Sequence, residues 1–134
     1  MIDVEAQVLN AVAEAVEAHD SSVLVSNTAM LVPPQFPCVA VYEQNSTVPS
    51  RRADSSHTEK FNELTYIVDV TSNKRLGAKA EAKTLLAIAD AVMYRLNFSR
   101  VGMVSNDYLA DASYYRITAR YIAEVGADEK LYRR

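Results

Sequence analysis

Residues 3–19 place Val4, Val8, Val12 and the pair Ala15–Val16 on one side of a 3.6-residue repeat, with no glycine or proline to interrupt it. Leu9 widens the stripe, and Glu5, Glu14 and Glu17 fall mostly off it. This spacing predicts an amphipathic helix with Asp3 as N-cap and Ile2 just before it, ending in the turn-forming run His19-Asp20-Ser21-Ser22. A longer helix is predicted over 74–97. There Leu85, Leu86, Ala89, Val92, Met93 and Leu96 share a stripe, and Lys79, Glu81, Lys83 and Asp90 lie on other faces.

The remaining apolar positions follow a period of two or form short runs. Val23-Leu24-Val25 and Met30-Leu31-Val32 read as two small strands or one irregular segment. Pro33-Pro34-Gln35-Phe36-Pro37 cannot lie inside a helix or a central strand, and Cys38–Glu43 resumes as a strand. In 61–71 the even positions Leu64, Tyr66, Val68 and Val70 are apolar, and the odd ones include Glu63, Thr65 and Asp69: a half-buried strand. A weaker strand at 101–108 and a strong one at 114–125 follow. The second alternates Tyr115, Ile117, Ala119, Tyr121, Ala123 and Val125 with Arg116, Thr118, Arg120 and Glu124. The short connection through Ala110-Asp111-Ala112 makes these two an antiparallel hairpin. The order of elements predicts a single α+β domain over 1–134, an antiparallel or mixed sheet with both helices on one face. Residues 44–60 have no apolar periodicity and read as a long polar loop or hairpin arm, and 127–134 as a charged tail.

Composition narrows the function. The 134 residues carry 14 basic and 17 acidic side chains, a net charge of −3, which argues against a dedicated nucleic-acid binder. No apolar run is long enough to cross a bilayer, and the acidic start Met1-Ile2-Asp3-Val4-Glu5 is unlike a basic signal peptide. The expectation is a soluble intracellular protein. The single cysteine, Cys38, excludes an internal disulfide or a cysteine-based zinc site, and its place in a strand after Pro37 predicts a buried small hydrophobe.

Little in the chain suggests catalysis. His19 ends a helix, where it suits the dipole. His57 with Asp54 and Glu59 is a faint echo of a metal cluster, but no second histidine supports it. Lys74, Arg75, Lys79 and Lys83 form a basic helix start interrupted by Glu81, without the glycines or spacing of a phosphate loop. Ser50, Ser55 and Ser56 lack a nucleophile elbow. No catalytic residue, metal or cofactor is expected.

Two features point to assembly. One is the 44–60 loop with Arg51-Arg52 at its middle. The other is the outward face of the last strand, which joins Tyr114, Arg116, Arg120 and Ile122, a mixture richer in interface residue types than ordinary surface.

The order and spacing of the segments carry a resemblance. A leading helix is followed by Phe36-Pro37-Cys38-Val39-Ala40-Val41-Tyr42, the polar loop, Tyr66-Ile67-Val68-Asp69-Val70 and an alanine-rich helix. Ser105-Asn106-Asp107 and Tyr115-Arg116-Ile117-Thr118-Ala119-Arg120-Tyr121 close it. Over residues 1–126 this resembles the tail terminator, or tail completion, proteins of long-tailed bacteriophages. The resemblance implies a ring, typically of six copies, on the head-proximal end of the tail tube. Such a ring stops tube polymerisation, offers a surface to the head connector or neck protein, and performs no chemistry. It implies a virion protein that passes through the host cytoplasm, with no membrane partner and DNA only in passing through the lumen. A hexamer of −3 chains carries −18, so acidic walls would let DNA slide. On this resemblance Arg51 and Arg52 contact a neighbouring subunit or the tube, and Arg116 and Arg120 form an inter-subunit or structural ion pair. Another head–tail joining protein, a small monomeric ligand- or peptide-binding module, and an enzyme without recognisable motifs are the competing readings.

Overall fold

The computed structural model describes residues 3–28, 33–47, 61–106, 114–126, 128 and 130–132. The chain runs α1 (Glu5–His19), β1 (Leu24–Ser26), β2 (Cys38–Thr47), β3 (Phe61–Ser72), α2 (Ala78–Arg95), β4 (Ser99–Asn106), β5 (Tyr115–Gly126) and β6 (Leu131–Tyr132). The strands form one mixed sheet in the order β1-β2-β3-β5-β4, with β6 added to β5. Only β1 and β2 pair in parallel; the other pairs are antiparallel. Because β3 and β4 both run antiparallel to β5, they are parallel to each other, joined through α2 with β5 inserted between them. This is the expected α+β fold.

Both helices pack on one face of this sheet. The valine stripe of α1 (Val4, Val8, Val12, Val16) and the α2 stripe of Leu85, Leu86, Ala89, Val92 and Met93 are buried in one cluster. From the sheet they meet Val39, Val41, Leu64, Tyr66, Val68, Val70 and the odd-numbered residues 117–125 of β5. Each such valine, leucine, isoleucine or methionine side chain removed from water contributes roughly 1.5–3 kcal/mol before the entropy of ordering is subtracted.

Local chemistry fixes the element ends, and some differ from expectation. Val4 rather than Asp3 occupies the α1 cap position, but Asp3 Oδ1 still accepts the Glu5 N–H at 3.0 Å, so the carboxylate serves the same exposed donor. The second helix starts at Ala78, not Lys74, because Gly77 turns the chain at φ +92°, a left-handed conformation costly for other residues. The Ser72 hydroxyl donates to Glu81 Oε1 at 2.7 Å, tying the end of β3 to the first turn of α2. At the other end Asn97 is left-handed (φ 72°), its N–H donates to the Tyr94 carbonyl and the Phe98 N–H to the Met93 carbonyl, a Schellman closure. That closure starts β4 at Ser99, two residues ahead of the predicted strand. The Asn97 side-chain amide donates to the Leu131 carbonyl at 3.0 Å, anchoring β6 inside the predicted charged tail. The polar stretch 44–60 is strand as far as Thr47, which pairs with Glu63; residues 48–60 lie outside the described residues, as do 29–32 with Met30-Leu31-Val32.

Candidate functional site

The face of the sheet away from the helices carries the even positions of β2 and β5 and the odd positions of β3. Register lines them up in rows: Cys38, Thr71 and Arg116; Ala40, Asp69 and Thr118; Tyr42, Ile67, Arg120 and Gly102. Cys38 is buried here as expected; the sequence pattern treats the rest of this face as solvated, yet Ala40, Ile67, Asp69, Thr71 and Arg116 are buried too. The alternation in β3 is therefore apolar or buried on both sides in its middle. Ile67 among the outward positions is the one local sign of it.

At the centre sits a charged pair. Arg116 Nε lies 3.5 Å from Asp69 Oδ1, with both side chains only 10% exposed. The Thr118 hydroxyl donates to the same oxygen at 3.1 Å. Burial raises the Asp69 carboxyl above its ordinary value, opposed by the Arg116 charge and the Thr118 hydrogen bond. The Arg116 guanidinium carbon is 5.9 Å from the Tyr114 ring centroid, and that ring packs against Phe36 at 5.6 Å. The Cys38 thiol nearby is pushed up to about 11, by burial first and then by Asp69. It has the character of a small hydrophobe rather than a nucleophile.

The expected interface residues thus separate. Tyr114 and Arg116 are brought together by Asp69 and Phe36, which the sequence reading did not single out, and the Arg116 ion pair lies within one chain. Arg120, on the same face, is exposed. It borders a notch of about 250 Å³ lined by Ile67, Val101, Gly102 and Thr118. Ile122 is half-buried one step further along β5. Arg51 and Arg52 lie outside the described residues, as does His57 with Asp54 and Glu59.

Two further polar groups lie on the helix side. Glu43, Tyr66, Tyr121 and Arg100 form one row across four strands. At its β2 end, Glu5 Oε2 accepts the Glu43 N–H at 3.4 Å and Glu5 Oε1 accepts the Asn27 amide at 3.2 Å. Burial, then Asp3 and Glu5, raise the Glu43 carboxyl. At the other end the buried Tyr121 hydroxyl donates to Asp90 Oδ1 at 2.7 Å, and Arg100 approaches that oxygen at 3.4 Å.

A cavity of about 310 Å³ lies between the end of α1 and the start of α2, bordered by His19, Asp20, Lys74, Gly77 and Glu81. Among the described residues no group of three acidic, histidine or cysteine side chains could hold a metal ion. Among them, too, no helix is long and apolar enough to cross a membrane. No family model matches the chain, and no curated protein matches it.

Proposed function

We propose that the chain is a structural protein that forms a ring on the head-proximal end of a bacteriophage tail tube, ends its polymerisation and offers the surface to which the head attaches. The observation that supports this best is the build of β2 and β3. Their pairing continues through Asn45–Thr65, Ser46–Leu64 and Thr47–Glu63. The two ends of the polar segment that carries Arg51-Arg52 in the sequence, Thr47 and Glu63, are therefore neighbours in the sheet. The two-helix, one-sheet architecture fits the resemblance in segment order.

The mechanism is geometric and needs no chemistry. Contacts between two different surfaces of identical copies close into a ring, and closure limits growth. One ring face complements the last ring of the tube; the other does not repeat a tube-like surface. A monomeric ligand-binding module fits less well. Among the described residues, the cavities beside α1 and α2, at Arg120 and at Asp90 are about 220–310 Å³, at or below the low end of the roughly 300–1,000 Å³ typical of small-molecule sites.

Light scattering over a wide concentration range, with negative-stain images of the same samples, tests the reading. Six protomers of 14.8 kDa give rings near 89 kDa. A strict monomer that also leaves added tail tubes uncapped would sink it. Deleting the gene from its phage separates the two joining roles: overlong tails indicate a terminator, and normal-length tails without heads another neck protein.

A further inference from the structure

We propose that copies of this chain join head to tail on the helix side of the sheet, the half-exposed Arg100 guanidinium of one copy meeting the carboxylate group of Asp3, Glu5 and Glu43 on the next. The inference rests on the ring reading and specifies which two surfaces meet.

The carboxylate group closes one edge of the sheet. The described pairing of β1 with β2 ends at Ser26–Ala40. Past that point Glu5 stands where a further strand would, with Oε2 accepting the Glu43 N–H at 3.4 Å and Oε1 the Asn27 amide at 3.2 Å. Asp3 is exposed beside it, its Oδ1 accepting the Glu5 N–H. The charges that act on Glu43 are those of Asp3 and Glu5, both negative, and among the described residues no cation offsets them. The group is also short of donors. The fully buried Tyr66 hydroxyl is acted on by the same three carboxylates, and both it and Glu43 Oε1 lack a hydrogen-bond partner among the described residues. Such a group attracts an outside cation that brings several N–H donors. A metal ion does not fit, since among the described residues no three acidic, histidine or cysteine side chains could hold one. A guanidinium, with five donors in one plane, suits it better than a point charge.

The opposite edge offers that guanidinium on the same face and at the same level. Strand registers put Glu43, Tyr66, Tyr121 and Arg100 in one row from β2 to β4. Among the described residues Arg100 makes one contact, at 3.4 Å to Asp90 Oδ1, which leaves its other donors for a partner. Tyr94, 67% exposed, borders the same hollow of about 220 Å³ between α2 and β4. Met103, 50% exposed, pairs with the core residue Ala119 and so lies on the helix side as well. An arginine flanked by exposed tyrosine and methionine has the composition of an interface centre. A copy displaced sideways by one sheet width sets row against row, Arg100 toward Asp3 and Glu5. Because the two surfaces differ, the contact is heterologous, the kind that generates a ring when its rotation closes.

The test is self-association of the full chain, alone and with added tail tubes, followed by sedimentation from micromolar to millimolar concentration. Arg100→Glu and Asp3→Arg should each weaken association at least tenfold, and the double variant, which restores opposite charges across the contact, should associate at least threefold more tightly than either single. Arg120→Glu, on the other face of the sheet, should stay within about threefold of the wild type. Circular dichroism verifies folding. If Arg100→Glu misfolds, Arg100→Gln and Asp3→Asn replace the pair, and their double should lose no more than the larger single loss. Wild-type rings that persist unchanged in the Arg100 variant overturn this contact and leave the ring reading standing. So do singles whose losses simply add in the double, or an equal loss in Arg120→Glu. A wild type that never associates, with or without tubes, overturns both.

Discussion

Replacing Asp69 by valine leaves the Arg116 guanidinium inside the sheet face without its carboxylate. At 3.5 Å the pair's gross attraction is about 5 kcal/mol at an effective dielectric near 20. Burial raises the Asp69 carboxyl in spite of the Arg116 charge and the Thr118 hydrogen bond, so desolvation offsets much of what the pair gains. The pair is therefore worth little as a unit, while breaking it is expensive. Asp69→Val should lose about 3 kcal/mol, and Arg116→Met a similar amount, because each strands a charge that is nine-tenths buried. The double variant should lose about 1 kcal/mol or less, since two apolar groups of similar shape strand nothing. In a domain of this length 3 kcal/mol moves Tm by about 10 °C. Urea unfolding with an unchanged m-value measures all four corners of the cycle. The reasoning is refuted if Asp69→Val stays within about 0.5 kcal/mol of the wild type, or if the double loses the sum of the singles. The pH dependence has a definite sign. Native Asp69 holds its proton more tightly than the unfolded chain, so its contribution is fully present below the ordinary value of 3.8 and is lost as pH rises through the elevated native value. The stability of the wild type relative to Asp69→Asn should fall across that window.

Three further outcomes are expected. Cys38, with its thiol near 11, should be about 0.1% thiolate at pH 8 and resist a thiol reagent in the native state, reacting fully in denaturant; native labelling within seconds would contradict its burial. Gly77→Ala should cost about 1–2 kcal/mol in thermal unfolding although its Cβ would meet no neighbour, because the cost comes from the left-handed backbone alone. Leu85→Ala should cost about 3 kcal/mol, whereas Leu76→Ala, at a side chain 84% exposed, should stay within about 0.5 kcal/mol; equal losses would misplace the core.

The sequence by itself determined the two helices, the long strands and the face each turns to the core. Those properties are periodic and local: a valine every fourth residue from Val4 to Val16, or every second apolar residue from Leu64 to Val70, is buried on one side whatever its partners are. It also determined that Cys38 is a core residue. Element ends depended on single residues whose backbone is hard to foresee, such as Gly77 and Asn97, and the two-residue strand at Leu131 carries too short a pattern to see.

Tertiary structure decided the rest. Strand order is set by pairing between distant segments, and the alternation in β3, β4 and β5 is the same whether β5 lies between its neighbours or at the edge. The fate of the outward arginines follows from that order. Arg116 stands one row from Asp69 and is neutralised inside the face; Arg120, four residues along the same strand, stands opposite Gly102 and is left open. Nothing in Tyr-Arg-Ile-Thr-Ala-Arg-Tyr distinguishes them, because the difference is made by what β3 and β4 place alongside.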